Sequence, residues 1–365
     1  MNNNFRVHTF VQSLLAFLVL SSVTFVTHAA PNFWYVNDST GNNSNNCLTS
    51  ITACETIFEG SGAVTKAFSG DTINIAAGTY TESVSITNKS LTLIGEDPAT
   101  TIIDATSRSN TINLSGGFTV SLNNLTLSNA TNNGINAGSS GTLVIVRNVR
   151  VIDNDGTGIF VNAGAIDLKN VEISGNGNQG VHLNPLVTTA DIVNTTISGN
   201  TDVGIGTANG PILNITNSTI TKNGKAGLGL NNTTNIQNTI IAVNNTDLVD
   251  TVECYGTVNS LGNNISRDNT GVGSVCSFDQ PGDWANTDPL LGPLEFNGAG
   301  TKTHTPDADF SVAINGGSKS GCPIDDQRGV IRDQSGYNVL KAQGGNTIVI
   351  PQEDGCDIGA YETDS

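Results

Sequence analysis

The sequence has little of what α-helical proteins are built from. Charged residues make up only 13% of the chain, aromatic residues 5%, and methionine occurs once. In place of the Leu, Glu and Lys that favour helices, the chain is rich in Asn, Thr and Ser and contains 41 glycines. Such residues favour turns and short strands. The composition argues against a helical protein and is typical of extracellular solenoids.

Basic residues are also scarce. The chain has 15 Lys and Arg against 32 Asp and Glu, which gives a formal net charge of −17 at pH 7. This charge repels nucleic acid and anionic lipid surfaces. We therefore expect no nucleic-acid partner.

Only one long apolar run occurs, and it lies near the N-terminus. Residues 10–26 are mostly apolar, follow Arg6, and precede small residues at Ala29 and beyond. This order is typical of a secretory signal peptide, here residues 1–29. Polar residues interrupt the run, which disfavours a membrane anchor. We predict a secreted, extracellular or cell-surface protein, with the periplasm as an alternative, and no membrane span after signal removal.

The six cysteines include no Cys-x-x-Cys, so zinc and thioredoxin-like redox sites are disfavoured. In an exported chain cysteines are expected to pair, and six of them can do so in fifteen ways. Proximity in the sequence favours three local disulfides: Cys47 with Cys54, Cys254 with Cys276, and Cys322 with Cys356.

An internal repeat of 21 to 24 residues dominates the centre of the chain. An Asn-x-x-aliphatic motif begins at Asn124, Asn148, Asn170, Asn194, Asn217 and Asn238. A second asparagine follows six residues later, at Asn154, Asn176, Asn200, Asn223 and Asn244. Ten residues after the first asparagine of a repeat comes a glycine that precedes an aliphatic residue, at Gly134, Gly158, Gly180, Gly204 and Gly227. A fixed period of this length is the signature of a solenoid.

The apolar pattern changes phase at the first asparagine of each repeat. Around Asn170 the inward positions are Ile166 and Leu168 before it, and Val171 and Ile173 after it. Strands alternate faces, so this shift requires a corner, and asparagine tolerates the left-handed backbone that a tight corner needs. Coils stacked about 4.8 Å apart would then align the six corner asparagines in a hydrogen-bonded structural column.

These patterns predict an all-β fold, a single-stranded right-handed parallel β-helix with coils of roughly 22 residues. A parallel sheet with crossover helices is disfavoured, because no long segment has helical periodicity. We assign residues 30–69 to an N-terminal cap, 70–245 to the β-helix and 246–365 to a disulfide-tied C-terminal cap. A short amphipathic helix is expected in the N-terminal cap, with apolar residues Ile57, Phe58, Val64, Ala67 and Phe68.

Several motifs resemble exported bacterial β-helix proteins of the pectate-lyase-like superfamily. Near the N-terminus they are Cys47-x6-Cys54-Glu-Thr-Ile, Gly70-Asp71-Thr72-Ile73 and Ala77-Gly78-Thr79-Tyr80. The C-terminal motifs are similar to a choice-of-anchor Q region: Asp288-Pro289-Leu290-Leu291-Gly292-Pro293-Leu294, Thr301-x-Thr303-His304, Asp326-Gln327-Arg328-Gly329 and Cys356-Asp357-Ile358-Gly359-Ala360-Tyr361-Glu362. The resemblance implies a right-handed β-helix and secretion or surface display, and no settled activity.

Asp167 and Asp191 are the best candidates for catalysis. Both precede the asparagine of their coil by three residues, so they should point outward from neighbouring coils. Two close carboxylates can divide acid and nucleophile roles, or can share a calcium ion. The alternative is a solvated face on which Arg147, Lys169 and Arg150 balance these acids.

Three other features are weaker candidates. Phe160 and His182 lie on neighbouring coils and can form a stacking platform for a sugar ring, or can be ordinary surface residues. Residues 153–156 resemble the start of a calcium loop but lack its later Glu ligand. The 325–329 run with Arg332 is either a site or an ion-paired cap loop.

The function we predict is binding of glycans or of a surface partner by a secreted or surface β-helix. The alternative is a polysaccharide lyase or glycoside hydrolase, placed second because no complete set of catalytic acids and bases is found. A structural or adhesive passenger is a third interpretation. No cofactor is predicted, and calcium is the only metal ion that any of these motifs suggests.

Overall fold

The computed structural model describes residues 32–244, 252–267, 277–332 and 355–363, together with the backbone of two strands between 340 and 349. The predicted signal peptide and Cys276 lie outside the described residues, so the expected cleavage and the Cys254–Cys276 pairing remain predictions. No helix in the described ranges is both long and apolar enough to cross a membrane.

The chain is built from short strands. Strands β1 to β9 are Phe33–Val36, Thr72–Ile75, Gly78–Tyr80, Val84–Thr87, Leu91–Gly95, Thr101–Asp104, Ile112–Ser115, Thr119–Asn123 and Thr126–Ser128. Strands β10 to β19 are Ile135–Ala137, Leu143–Arg147, Arg150–Ile152, Ile159–Lys169, Glu172–Ser174, Val181–Val193, Thr196–Ser198, Ile205–Thr207, Ile212–Thr216 and Thr219–Thr221. Strands β20 to β29 are Leu228–Gly229, Thr234–Gln237, Ile240–Ala242, Cys254–Tyr255, Val258–Ser260, Ile265–Ser266, Leu291–Glu295, Thr303–Pro306, Leu340–Gln343 and Asn346–Val349.

Strands β1 to β25 stack into three parallel faces, which confirms the predicted β-helix. The first face runs through β1, β2, β5, β8, β11, β13, β15, β18, β21 and β24. The second face is a separate nine-stranded sheet of β3, β6, β9, β12, β14, β16, β19, β22 and β25. The third face contains β4, β7, β10, β13, β15, β17, β20 and β23. The paired strands extend past the expected 70–245 segment at both ends, to Phe33 and Ser266.

Aliphatic side chains form columns along the solenoid axis. On the first face Val144, Ile166, Ala190 and Leu213 are directly in register and at most 1% exposed. On the second face the same is true of Ile173, Ile197, Ile220 and Ile241. Each Val, Leu or Ile side chain buried in this way contributes about 1.5–3 kcal/mol.

The six corner asparagines all adopt left-handed backbone, with φ between 44° and 60°. Their side chains form hydrogen bonds in pairs: Asn148 donates to Asn124 at 2.9 Å, Asn194 to Asn170 at 3.3 Å and Asn238 to Asn217 at 3.2 Å. Between the second and third pairs, the C-terminal region supplies a partner: the Asn217 side chain donates to the Asp357 carbonyl at 3.2 Å. The corner column is therefore shared between the β-helix and its cap.

The second set of asparagines forms an interior ladder. The side-chain amide of each donates to the next Oδ1 at 2.9 Å, from Asn154 through Asn176, Asn200 and Asn223 to Asn244. At the end of the ladder the amide of Asn244 donates at 2.6 Å to Glu253, which is fully buried. This ladder satisfies polar groups inside the corner between the second and third faces.

The N-terminal cap contains little helix. Within the described residues, helix is confined to α1 (Ala63–Lys66) and to 3₁₀ turns at Ser50–Thr52, Glu59–Ser61 and Lys319–Gly321. Of the five apolar residues expected in a cap helix, Phe68 is 71% exposed, so it does not pack on the core. Ile57, Val64 and Ala67 are buried, and a disulfide joins Cys47 to Cys54.

The C-terminal region is tied by the Cys322–Cys356 disulfide, with the two Cα atoms 6.0 Å apart. A small apolar cluster joins it to the last coils: Ile240, Ala242, Ile265, Val312, Ala313 and Ile358. The antiparallel hairpin β26–β27 reaches back along the second face, where the Lys302 N–H donates to Glu172 Oε2 at 2.8 Å. The region thus covers both the end of the solenoid and part of one side.

Candidate functional site

A row of carboxylate and amide side chains runs along the outside of the first face. Asp191, Asn214, Asn235 and Asn259 occupy the same position on four successive coils. Asn214 donates to Asp191 at 2.7 Å, Asn235 to Asn214 at 2.8 Å and Asn259 to Asn235 at 2.8 Å. We call these four residues the amide row. Its end members are exposed and its two middle members are half-buried.

Asp167 and Asp191 are in register on β13 and β15, as the repeat predicts. Each has a separate partner. The Asp167 carboxylate forms an ion pair with Arg147, whose guanidinium also donates to the Asp167 carbonyl at 2.8 Å. Asp191 accepts the hydrogen bond from Asn214. The two acids therefore belong to a balanced polar surface, and this arrangement favours the solvated-face interpretation over an acid and nucleophile pair.

The cations expected to balance these acids have other roles as well. Lys169 pairs with Asp325 of the C-terminal region at 2.7 Å, and Arg150 pairs with the buried Glu172 at 2.7 Å. In the described part of the chain, no cluster of three or more His, Cys, Asp or Glu side chains is placed to hold a metal ion. Residues 153–156 do not converge on a ligand site, because Asn154 lies in the interior ladder.

Phe160 and His182 stack on the outside of the third face. Their ring centroids are 5.3 Å apart and their planes differ by 3°. Both ring nitrogens of His182 are engaged, with Gln179 at 2.7 Å and Asn184 at 2.8 Å. Asn184 in turn donates to Asn162 at 2.8 Å. The two half-buried rings therefore form a rigid aromatic edge that is bordered by amides.

A cleft separates the second face from hairpin β26–β27. It has a volume of about 390 Å³ and is lined on the solenoid side by Arg150, Asp153, Glu172, Ser174, Ser198 and Lys222. The hairpin side contributes Pro293, Leu294, Lys302 and His304. Burial raises the pKa of Asp153 above its ordinary value. The sequence could not reveal this cleft, because no repeat relates the hairpin to the coils that it covers.

Ser198 and His304 meet within this cleft. His304 Nδ1 donates to the Gly292 carbonyl at 2.7 Å, because a carbonyl oxygen can only accept. Burial lowers the pKa of His304 to about 4, so the ring is neutral at pH 7 and its Nε2 accepts from the Ser198 hydroxyl at 2.9 Å.

This contact has the geometry of a nucleophile beside a base. A base with so low a pKa is inefficient near neutral pH, and the two residues are only 3% and 1% exposed. The pair therefore serves to attach the hairpin to the β-helix.

The 325–329 run is an ion-paired loop. Asp326 is fully buried and pairs with Arg328 at 2.8 Å, while Arg332 pairs with Glu362 at 2.8 Å. Arg332 also donates to Asn194 Oδ1 at 3.2 Å, which links the loop to the corner column. These contacts favour the cap-loop interpretation over a separate site.

The fold has counterparts among solved structures. The chain matches the crystal structure of pectate lyase Pel9A with a TM-score of 0.53 and 16% identity, over 92% of this chain and 97% of that one. A match to a rhamnogalacturonan lyase has a TM-score of 0.46 and 13% identity, over 72% and 91% of the two chains. At this identity the first match shows a shared β-helix fold and nothing finer. No protein-family model matches the sequence, and no curated protein matches it significantly.

Proposed function

We propose that this protein is a secreted or surface-displayed β-helix that binds polysaccharide chains along the amide row. The observation that carries the proposal is the hydrogen-bonded alignment of Asp191, Asn214, Asn235 and Asn259 on four coils. Stacked coils repeat about every 4.8 Å, so a polymer parallel to the axis meets a similar group at each step. Repeated weak contacts of this kind add up to useful avidity.

The amide row retains capacity to bind a ligand. A side-chain amide has two N–H donors and two oxygen lone pairs. Asn214 and Asn235 each use one donor and one lone pair within the row, so one of each remains for sugar hydroxyls. The hydrogen bonds within the row also hold the side chains in place, which reduces the entropy lost on binding.

The third face offers an additional contact. A sugar residue that reaches it meets the edge of the Phe160 and His182 rings, with Asn162 and Asn184 as polar neighbours. Aromatic side chains bordered by polar groups suit the mixed surface of a sugar ring. The ion pair between Asp167 and Arg147 argues against a hydrolase that uses Asp167 and Asp191 as acid and nucleophile, because it engages one of these two acids.

Affinity gel electrophoresis with dissolved polysaccharides tests the proposal. Polygalacturonate is the first polymer to test, since the matched structure is that of a pectate lyase, and neutral glucans and mannans complete the set. We expect at least one polymer to retard the parent and to retard an Asn214→Ala, Asn235→Ala variant much less. Asn132→Ala, which alters an exposed asparagine outside the row, is the matched control.

Two outcomes would overturn the proposal. Equal retardation of the parent and the double variant would show that the amide row is not the binding surface. Turnover of polygalacturonate in the presence of calcium, lost in an Asp167→Ala, Asp191→Ala variant, would show an enzyme instead. We expect no such turnover.

A further inference from the structure

The cleft between the second face and hairpin β26–β27 has the size and polarity of a small-molecule site. Its volume of about 390 Å³ lies in the lower part of the usual range of roughly 300–1,000 Å³ for such sites. Its floor is open because glycines replace side chains on two successive coils. Four successive coils have a residue with positive φ at the same position, directly after strands that are in register. These residues are Asp153, Gly175, Gly199 and Lys222.

A gap remains at Gly199, where a Cβ atom would have no other atom within 4 Å. At Gly175 the Asp153 carboxylate already covers the backbone, since a Cβ there would lie 2.5 Å from Asp153 Oδ1. The hydroxyl of Ser174 lines the cleft and already donates to Glu172 at 2.9 Å. Its oxygen therefore remains available as an acceptor for a hydroxyl group of a ligand.

The charges in the cleft favour an anion. Glu172 is neutralised by Arg150, and His304 is uncharged at neutral pH. Neither Lys222 nor Lys302 forms an ion pair within 4.0 Å of a described residue, and the Lys302 ammonium lies 5.2 Å from the centre of the Phe296 ring. The Asp153 carboxylate, which Lys302 attracts, offsets one of these two charges, so the cleft keeps a net positive charge in a chain whose net charge is −17. Attraction between charges is stronger in a partly enclosed cleft than in open water.

We propose that this cleft binds a small anionic sugar, whose carboxylate or sulfate pairs with Lys222 and Lys302 and whose ring hydroxyls bond to Ser174 and Asp153. A neutral sugar leaves the lysines unpaired, and a simple carboxylate leaves the hydroxyl acceptors unused. The site lies on the second face, whereas the amide row lies on the first, so this inference does not depend on the proposed function.

Isothermal titration calorimetry tests this site with four probes: galacturonate, galactose 6-sulfate, galactose and acetate. We expect one or both anionic sugars to bind, and galactose and acetate to bind at least about tenfold more weakly. Lys222→Gln and Lys302→Gln should each weaken the anionic sugar about tenfold. Lys225→Gln is the matched control, because Lys225 is 68% exposed and pairs with Asp202 at 3.0 Å outside the cleft.

A second comparison separates this site from the amide row. The Asn214→Ala, Asn235→Ala variant should bind the anionic sugar like the parent, whatever it does to polymer binding. Binding of galactose or acetate as tight as that of the anionic sugars would overturn the proposal. So would the absence of any binding, or binding that neither lysine substitution weakens. Thermal unfolding of each variant checks that the fold is retained.

Discussion

At the scale of the residue, asparagine has two distinct roles in this molecule. Asn170 and its equivalents turn the corner with positive φ, whereas Asn200 and its equivalents satisfy polar groups in the interior. The sequence predicts a column for the corner asparagines, whereas the second set is recognisable only as a recurring residue. It does not predict which column is continuous, because that depends on the side-chain directions that the backbone of each turn imposes.

The interior ladder leads to a prediction about stability. Asn200 donates to Asn223 and to the Ile173 carbonyl, and it accepts from the side chain and backbone N–H of Asn176. Asn200→Ala leaves these buried groups without partners, so we expect a loss of at least about 2 kcal/mol in the free energy of unfolding. Urea denaturation measures it. Asn178→Ala alters an exposed asparagine and should change the free energy of unfolding by less than about 0.5 kcal/mol. An equal loss in Asn200→Ala and Asn178→Ala would contradict the role of the ladder.

Some contacts of the candidate sites could be predicted from the repeat, and others could not. The register of Asp167 with Asp191 follows from the repeat, and Arg147 was among the cations expected to balance these acids. The contact of Ser198 with His304 spans 106 positions in the sequence. It arises from docking of a region without the repeat, so periodicity could not predict it.

At the scale of the element, the repeated glycine directly precedes five strands of the third face: β10, β13, β15, β17 and β20. A Cβ at Gly204 would lie 2.7 Å from the Gly227 carbonyl oxygen and 2.7 Å from an Ile220 methyl carbon. The next coil thus leaves no space for a side chain. This close approach gives a physical reason for the glycine that follows five of the six corner asparagines by ten residues.

Gly204→Ala should therefore destabilise the β-helix by about 1–3 kcal/mol, since the neighbouring coil must move. Gly138→Ala is the matched control, because its Cβ would meet only the Leu114 carbonyl oxygen at an ordinary 3.7 Å. Chemical denaturation of both variants provides the comparison. The packing argument would be wrong if Gly138→Ala cost as much as Gly204→Ala.

Strand boundaries were predictable on the first and second faces and less so on the third. The inward positions Ile166 and Leu168 lie in the second half of β13 (Ile159–Lys169), and the aliphatic residue after Gly180 begins β15 (Val181–Val193). These two strands continue from the third face to the first with shifts in register. The apolar pattern breaks at such a bend even though the backbone remains extended.

At the scale of the whole molecule, the C-terminal region is held to the β-helix by buried polar contacts as well as by its apolar cluster. His304 bonds to Ser198 on the second face, and Arg332 bonds to Asn194 at the corner while pairing with Glu362. Burial lowers the pKa of His304 and raises the pKa of Glu362. Stability of the docked region should therefore depend on pH through two opposing contributions.

The signs of these contributions follow from the pKa values. His304 has a folded pKa of about 4 against an ordinary 6.5, so its contribution is present above pH 6.5 and is lost as pH falls towards 4. Burial, with a further contribution from Asp357, raises the pKa of Glu362 from 4.5 to about 7. The contribution of Glu362 is therefore present below pH 4.5 and is lost as pH rises towards 7.

Single substitutions should separate the two contributions. Between pH 4.5 and 6.5, Glu362→Gln leaves only the histidine contribution, so the free energy of unfolding should rise more steeply with pH than in the parent. His304→Gln leaves only the glutamate contribution and should shift the slope in the opposite direction. Urea denaturation at several pH values measures both slopes. Glu55→Gln removes an exposed carboxylate and should keep the slope of the parent. If the slopes of the Glu362 and His304 variants shifted in the same direction, these two groups would not set the pH dependence.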